Sequence, residues 1–349
     1  NDPLNARIYT LNNGLKVYLS VYKDAPRIQT YIAVKAGSKN DPSNSTGLAH
    51  YLEHMVFKGT DVYGTKDFKK ENIEIKKIEQ LYELYRSVSD ENKRKIIYHQ
   101  IDSVSGQAAK YAIANEYDKM LANIGADGTN AFTSFDQTVY VNDIPSNQIN
   151  NWLKIEAERF RKPVLRLFHT ELEAVYEEKN RGIDNDDDKV WESLFASLWR
   201  HHTYGTQTTI GTIEHLKNPS MVEINKYYNK YYVPNNMAII MSGDFDPDKV
   251  IIEIDKNFGK FESKPVQAYE YESELPITKK IVNEIVGPNP ANVNLAWSFA
   301  GEGSSDADKC KLISGILFNG SAGLMDLNLN QAQKVLSSSC FFYPLKDYS

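Results

Sequence analysis

The sequence predicts an α+β fold, and three observations carry that prediction. Stretches rich in β-branched and aromatic residues fill 7–36 and recur at 129–144 and 236–245. Long intervening segments repeat their apolar residues at helical spacing. The chain has 349 residues, 41% hydrophobic and 25% charged, which is globular composition with length for about two domains.

ARIYTL and LKVYLSVY flank Asn12-Asn13-Gly14, a hairpin signal, and RIQTYIAVKAG reads as a third strand. Ser43, Asn44, Ser45 and Thr46 offer N-caps to a helix over GLAHYLEHMVF, and Gly59 closes it. Residues 66–124 are rich in Lys, Glu, Gln and Tyr. Ile75, Ile78, Leu81, Tyr85 and Val88, then Ile97, Ile101 and Val104, lie at helical spacing on either side of a break at Ser89-Asp90. That pattern predicts an αα-hairpin, read as a structural insertion. TNAFTSFDQTVYVNDI is strand-like again. SNQINNWLKIEAERF predicts a helix, and Pro163 separates it from a longer one running from about Phe168 to Trp199. KNPSMVEINKYYNKYY is helical until Pro234, NMAIIMSGDF is a buried strand, and DPDKVIIEIDKNFG is a helix opened by an Asp cap. FESKPVQAYEYESELPITKK reads as an extended linker. ANVNLAWSFAG, a helix through KLISGIL, and VLSSSCFFYPL then open a second unit. The expected division is one complete domain at 1–262, a linker at 263–282, and the beginning of a second domain at 283–349.

The formal net charge of −6, from 40 basic and 46 acidic residues, argues against a nucleic-acid binder. No apolar run approaches the roughly 18 residues of a membrane span. Cys310 and Cys340 are too few for a disulfide scaffold and are expected as buried thiols. Asn1 in place of an initiator Met leads to the expectation that a leader has been removed.

The chemistry concentrates in HYLEH, residues 50–54. On a helix, His50 and His54 sit four apart on one face and can aim two rings at one ion, with Glu53 bordering that face. Zinc accepts neutral imidazole, and a catalytic site leaves one position for water, whose proton a neighbouring carboxylate can take. Two histidines do not hold catalytic zinc alone, so a third ligand is required. HTELEAVYEEKNR on the long helix offers Glu171 and Glu178, seven apart on one face, with Glu173 and Glu177 off it. Spacing alone does not choose between Glu171 and Glu178.

HYLEH is the inverted zinc motif of the inverzincins. With ELEAVYEE downstream the chain resembles the insulinase/pitrilysin family of zinc metallopeptidases, which includes the mitochondrial processing peptidases. The resemblance implies a mixed, largely antiparallel sheet flanked by helices, and Zn2+ held by His50, His54 and Glu178. It makes Glu53 the general base and Glu171 a carboxylate that supports catalysis from behind the ligands, and leaves Glu177 facing solvent. GTNAFTSFDQTVY is similar to the family's NA-x-T edge strand, which implies that Asn130, Ala131 and Thr133 pair with substrate backbone. HHTYGTQTTIGTIEHL, YYNKYYVPNNMAIIMSGDF and GLMDLNLNQAQKVLSSS resemble further blocks of the family in the same order, the last opening its second homologous domain. His54 and Glu178 stand further apart here than in many members. The 66–124 hairpin accounts for the excess and is expected to protrude rather than separate the ligands.

The implied activity is that of a zinc endopeptidase acting on short or unfolded polypeptides chosen by length and flexibility. The alternative is a non-catalytic peptide-binding or scaffolding relative. The partners implied are a peptide substrate and either the C-terminal half of the protein or a homologous subunit, without which the piece is expected to turn over weakly or not at all. The lost leader and the family's frequent export in bacteria favour a periplasmic or secreted setting.

Other polar residues read as structural. His201 and His202 suit a helix end and packing, with a place in the substrate cleft as the alternative; His169 suits a structural role, and His99 and His215 are expected in solvent. DNDDDK at 184–189 lacks the Gly and the terminal Glu of a calcium loop and reads as an acidic helix face. Gly125 and Gly128 suit a turn, and Asp136 and Thr138 suit hydrogen bonding at the presumed edge strand.

Overall fold

The computed structural model describes residues 2–349. Among these residues six strands form one sheet: β1 (Arg7–Thr10), β2 (Lys16–Val21), β3 (Arg27–Val34), β4 (Asp127–Thr133), β5 (Thr138–Pro145) and β6 (Met237–Gly243). Their order across the sheet is β1-β2-β6-β3-β5-β4. Every neighbouring pair is antiparallel except β2 with β6. This is the mixed, largely antiparallel α+β architecture expected. The central strands alternate strictly. Ile28, Thr30, Ile32 and Val34 of β3 and Met237, Ile239 and Met241 of β6 are buried, while the residues between them are partly exposed. The β1–β2 turn depends on Gly14, whose φ of +84° suits glycine and whose missing Cβ would lie 2.7 Å from that of Asn235.

The helices are α1 (Leu48–Val56), α2 (Phe68–Ser87), α3 (Glu91–Ala109), α4 (Glu116–Asn123), α5 (Ile149–Arg161), α6 (Phe168–Ile183), α7 (Asp186–Leu198), the short α8 (Thr203–Thr206) and α9 (Ile213–Leu216), α10 (Met221–Tyr231), α11 (Pro247–Phe258) and α12 (Ser305–Leu317). None of them is long and apolar enough to cross a membrane.

Four expectations need correction. The single long helix from Phe168 to Trp199 is two, because Asn185 turns out of the helix and caps the next one, accepting the Asp187 N–H at 2.9 Å. DNDDDK is therefore the start of α7, where carboxylates meet the positive end of the helix dipole. The expected caps at 43–46 are not used either. Gly47 is the N-cap of α1, and Asp41 accepts the Gly47 and Ala49 N–H groups at 2.7 and 3.0 Å. His215 is not free in solvent, since its Nδ1 accepts the Thr46 N–H at 3.1 Å. Cys310 and Cys340 are free thiols but only partly buried.

The hairpin is α2 and α3, with Asp90 capping the second helix and α4 as a third helix in the same segment. It does not come between the ligand-bearing segments. Ile75, Ile78, Tyr82 and Ile101 are buried on its inner face, where Tyr82 packs on Phe168 of α6 and its hydroxyl pairs with His169 Nδ1 at 2.7 Å. Residues 263–304 carry no helix or strand apart from an isolated bridge between Ala300 and Tyr348. KLISGIL lies in α12. The last residues pack back against α7, α8 and the β4–β5 connection, where Leu345 joins Phe135, Leu198, Trp199 and Tyr204 in a small separate core.

Candidate metal centre

Helix α1 carries His50, Glu53 and His54, and packs Leu48, Ala49, Tyr51, Leu52, Met55 and Val56 into the core. That apolar packing turns the remaining positions towards a cleft of about 1040 Å³. Asp41 fixes the start of the helix. Burial pushes its carboxyl up to about 8, against the downward pull of the Ala49, Gly47 and Leu48 amides. Gly47 has a φ of +85°, and a Cβ there would meet the Ile210 carbonyl at 2.4 Å, so the helix entrance is closed to larger residues. Helix α6 brings Glu171 and Glu178 to the same cleft.

His50 Nε2 lies 3.5 Å from Glu178 Oε1, and His54 Nε2 lies 3.7 Å from Glu178 Oε2. The two rings are 4.7 Å apart between centroids at 70°. Both nitrogen–oxygen distances exceed a good hydrogen bond. They match instead the spacing of donor atoms around tetrahedral zinc, about 3.3 Å for bonds of about 2.0–2.1 Å. Glu171 stands behind this trio. His54 Nδ1–H donates to Glu171 Oε1 at 2.9 Å, which leaves the Nε2 lone pair facing Glu178. Lys58 Nζ holds the other Glu171 oxygen at 2.6 Å. His50 has no such support, because its Nδ1 is buried without a hydrogen-bond partner among the described residues. Glu177 is exposed and outside the group.

The electrostatics suit a cation. Burial, reinforced by the charge of His54, pushes His50 down to about 4, so its ring is neutral at pH 7. Burial also works against protonation of His54. The hydrogen bond and charge of Glu171, with the charges of Glu53 and Glu178, outweigh it and raise the group. The Glu53 carboxyl is raised by burial, eased by the Thr133 hydrogen bond and His54, and pushed further by Glu178. Burial of Glu171 is overcome by His54 and Lys58, which lower it. Three carboxylates and two imidazoles thus share a site, and of the lysines lining the cleft Lys58 is engaged by Glu171 and Lys179 by Glu192.

Strand β4 is the edge of the sheet and forms the opposite wall of the cleft, with Asn130, Ala131 and Thr133 lining it. Their backbone pairs with β5 on one side only. Thr133 does more than line the wall, because its hydroxyl donates to Glu53 Oε2 at 2.6 Å. Every residue expected at the site from the sequence is thus in one cleft. The sequence reading missed Lys58 and Asp41. Lys58 follows His54 by four positions, a faint signal, whereas nothing in the spacing of Asp41 marks it as the acceptor of the amides that open α1.

The model of the insulinase family (Peptidase family M16) matches residues 17–77 and 99–212, half of the chain. The chain belongs to the insulinase family. The unmatched residues 78–98 are the tip of the α2–α3 hairpin. A second model, described as the Peptidase M16 inactive domain, matches residues 221–349 of this insulinase-family chain. Relatives include a probable mitochondrial-processing peptidase subunit beta from Arabidopsis thaliana, 22% identical over 88% of this chain and 49% of its own length. The insulin-degrading enzyme of Mus musculus is 26% identical over 77% of this chain and 22% of its own. The chain spans about half the length of the first curated relatives it matches. A solved protease from Helicobacter pylori shares the fold with a TM-score of 0.68 at 19% identity, covering 99% of this chain and 73% of its own.

Proposed function

We propose that this chain carries the metal centre of a zinc-dependent endopeptidase, with His50, His54 and Glu178 as ligands, Glu53 as general base and Glu171 as the carboxylate that orients His54. The observation that carries the reading is the convergence of His50 Nε2, His54 Nε2 and the Glu178 carboxylate at ligand spacing from two separate helices. The donor set fits zinc: two imidazoles, one of them held neutral by burial, and one carboxylate, with an open cleft on the fourth side. When bound there, zinc supplies Lewis acidity, easing proton loss from water near neutral pH and polarising a carbonyl.

The chain's own groups do the rest. Glu53, raised by burial, takes a proton from water and returns it to the leaving amine. Asn130, Ala131 and Thr133 offer the free edge of β4 to an extended peptide, which pairs as an added strand. Such pairing reads backbone more than side chains, so short or unfolded polypeptides are the substrate class. The reading extends to a longer second unit or homologous subunit that closes over the cleft. A periplasmic or secreted setting is part of it, supported by the likeness to Escherichia coli PqqL, described as a periplasmic protease (TM-score 0.57, 18% identity, covering 78% of this chain and 26% of that one).

Two measurements on full-length protein test this. Purified protein should hold one zinc per chain, and Glu178→Gln should lose it; zinc retained by that variant removes the ligand assignment. Glu53→Gln should bind zinc and peptide but cut at least 100-fold more slowly. Cleavage at the wild-type rate would remove Glu53 as the base, whereas zinc-loaded wild-type protein that binds peptide without cutting it would leave the alternative, a peptide-binding relative that does no chemistry.

A further inference from the structure

The hydroxyl of Thr133 links two parts of the cleft that otherwise come from unrelated stretches of chain. Thr133 is the last residue of β4, and its backbone is paired with Thr138 of β5. Its Oγ1 donates to Glu53 Oε2 at 2.6 Å, while Thr138 Oγ1 is 3.5 Å away and donates its own proton to the Ala36 carbonyl at 3.0 Å. A hydroxyl has one proton to give, and here the distances assign it to Glu53. Glu53 is only 7% exposed, and its carboxylate also feels the charges of His54 and Glu178. The terminal torsion of a glutamate is broad, so an untethered carboxylate would sample many orientations. Engaging one oxygen leaves the other free.

We propose that Thr133 is a positioning residue that ties the Glu53 carboxylate to strand β4, so that the strand that pairs with the peptide also sets where the base stands. This rests on the assignment of Glu53 as base. It assigns the Thr133 side chain a role separate from the backbone pairing that its strand implies. A peptide laid along β4 then meets the base at a fixed register, because both are referred to the same strand.

Thr133→Val removes the hydroxyl at nearly constant shape, and Thr133→Ser keeps it. In full-length protein the Val variant should lose roughly 10- to 100-fold in kcat, with KM for a flexible peptide and zinc affinity by chelator competition unchanged. The Ser variant should recover most of the loss, and a crystal structure of the Val variant should find the Glu53 carboxylate rotated off its wild-type position. A Val variant with wild-type kcat overturns the tether. So does equal loss in Val and Ser, or weakened zinc binding in Val, since those mark a packing role. Glu53→Gln separates the two ideas. If that variant is fully active the base assignment itself has failed, whereas an inactive Glu53→Gln beside a fully active Thr133→Val removes only the tether.

Discussion

The nitrogen of His54 that faces Glu171 decides which nitrogen keeps a lone pair to offer an ion. With Nδ1–H committed to Glu171 Oε1 at 2.9 Å, only Nε2 has a lone pair to offer. Lys58 holds Glu171 from the far side at 2.6 Å, so the carboxylate is fixed at both oxygens before any ion arrives. His50 has no counterpart, and its Nδ1 is buried unpaired among the described residues. Orientation of the pair therefore depends on Glu171. Replacing Glu171 with Gln should weaken zinc binding roughly 10- to 100-fold, the usual effect of losing such a partner. Competition with a chromophoric chelator measures it. Unchanged affinity would mean that packing alone orients His54.

Helices α1 and α6, far apart in sequence, are joined by a buried ion pair as well as by the packing of Tyr51 on Phe168. Arg166, at the entrance to α6, donates through Nε and Nη2 to both oxygens of Glu71 on α2, at 2.6 and 2.9 Å. Its remaining donor positions reach the Lys58 and Thr60 carbonyls, just beyond α1, at 2.7 and 2.9 Å. Both side chains are at most 2% exposed. One guanidinium thus joins α1, α2 and α6. Removing one partner of a buried pair strands the other charge, so Arg166→Met should cost about 3–5 kcal/mol of stability by urea denaturation. A change below about 1 kcal/mol, the scale of an exposed pair, would show that the junction is held by its apolar contacts. The hairpin is therefore more than an inserted bulge, since its first helix forms part of the clamp beneath the candidate site.

At the scale of the whole molecule, the last residues are fastened to segments far earlier in the chain by a compact set of charges. Lys39 lies 2.5 Å from Asp136 and 2.8 Å from Asp347, and His202 Nε2 lies 3.3 Å from Asp347. Trp199 stacks on Tyr348, and its Nε1–H donates to Ser298. Burial acts to raise the Asp347 carboxyl, but the hydrogen bonds and charges of His202 and Lys39 outweigh it and hold the group at about 2. An unfolded Asp titrates near 3.9. A carboxyl lowered by folding contributes stability that is present above the unfolded value and lost as pH falls through the folded one. Release of residues 343–349 is therefore expected as pH drops from about 4 to about 2. Near-ultraviolet circular dichroism should follow it through the Trp199 environment, and Asp347→Asn should remove that step. An identical acid profile in the variant would rule out this fastening.

The local signals were legible in the residues themselves. Asn13-Gly14 gives a turn because only certain residues tolerate its backbone, and β3 and β6 alternate because successive side chains face opposite sides of a sheet. His50 and His54 share a face because a helix turns in 3.6 residues. The α+β class, the hairpin and the membership of His50, Glu53, His54, Glu171 and Glu178 in one site were within reach of pattern and resemblance. Spacing alone did not decide between Glu171 and Glu178, since both sit on one helical face. Only the crossing of α1 and α6 puts Glu178 before both Nε2 atoms and Glu171 behind His54. The bonds from Asp41 to the amides that open α1, the Arg166 clamp and the Thr133 hydrogen bond were likewise invisible, because each joins residues brought together by packing and carries no periodicity in the chain. Sequence determined which elements form and which side chains share a face; tertiary structure alone decided which faces meet, because that depends on how whole elements pack and not on any local spacing.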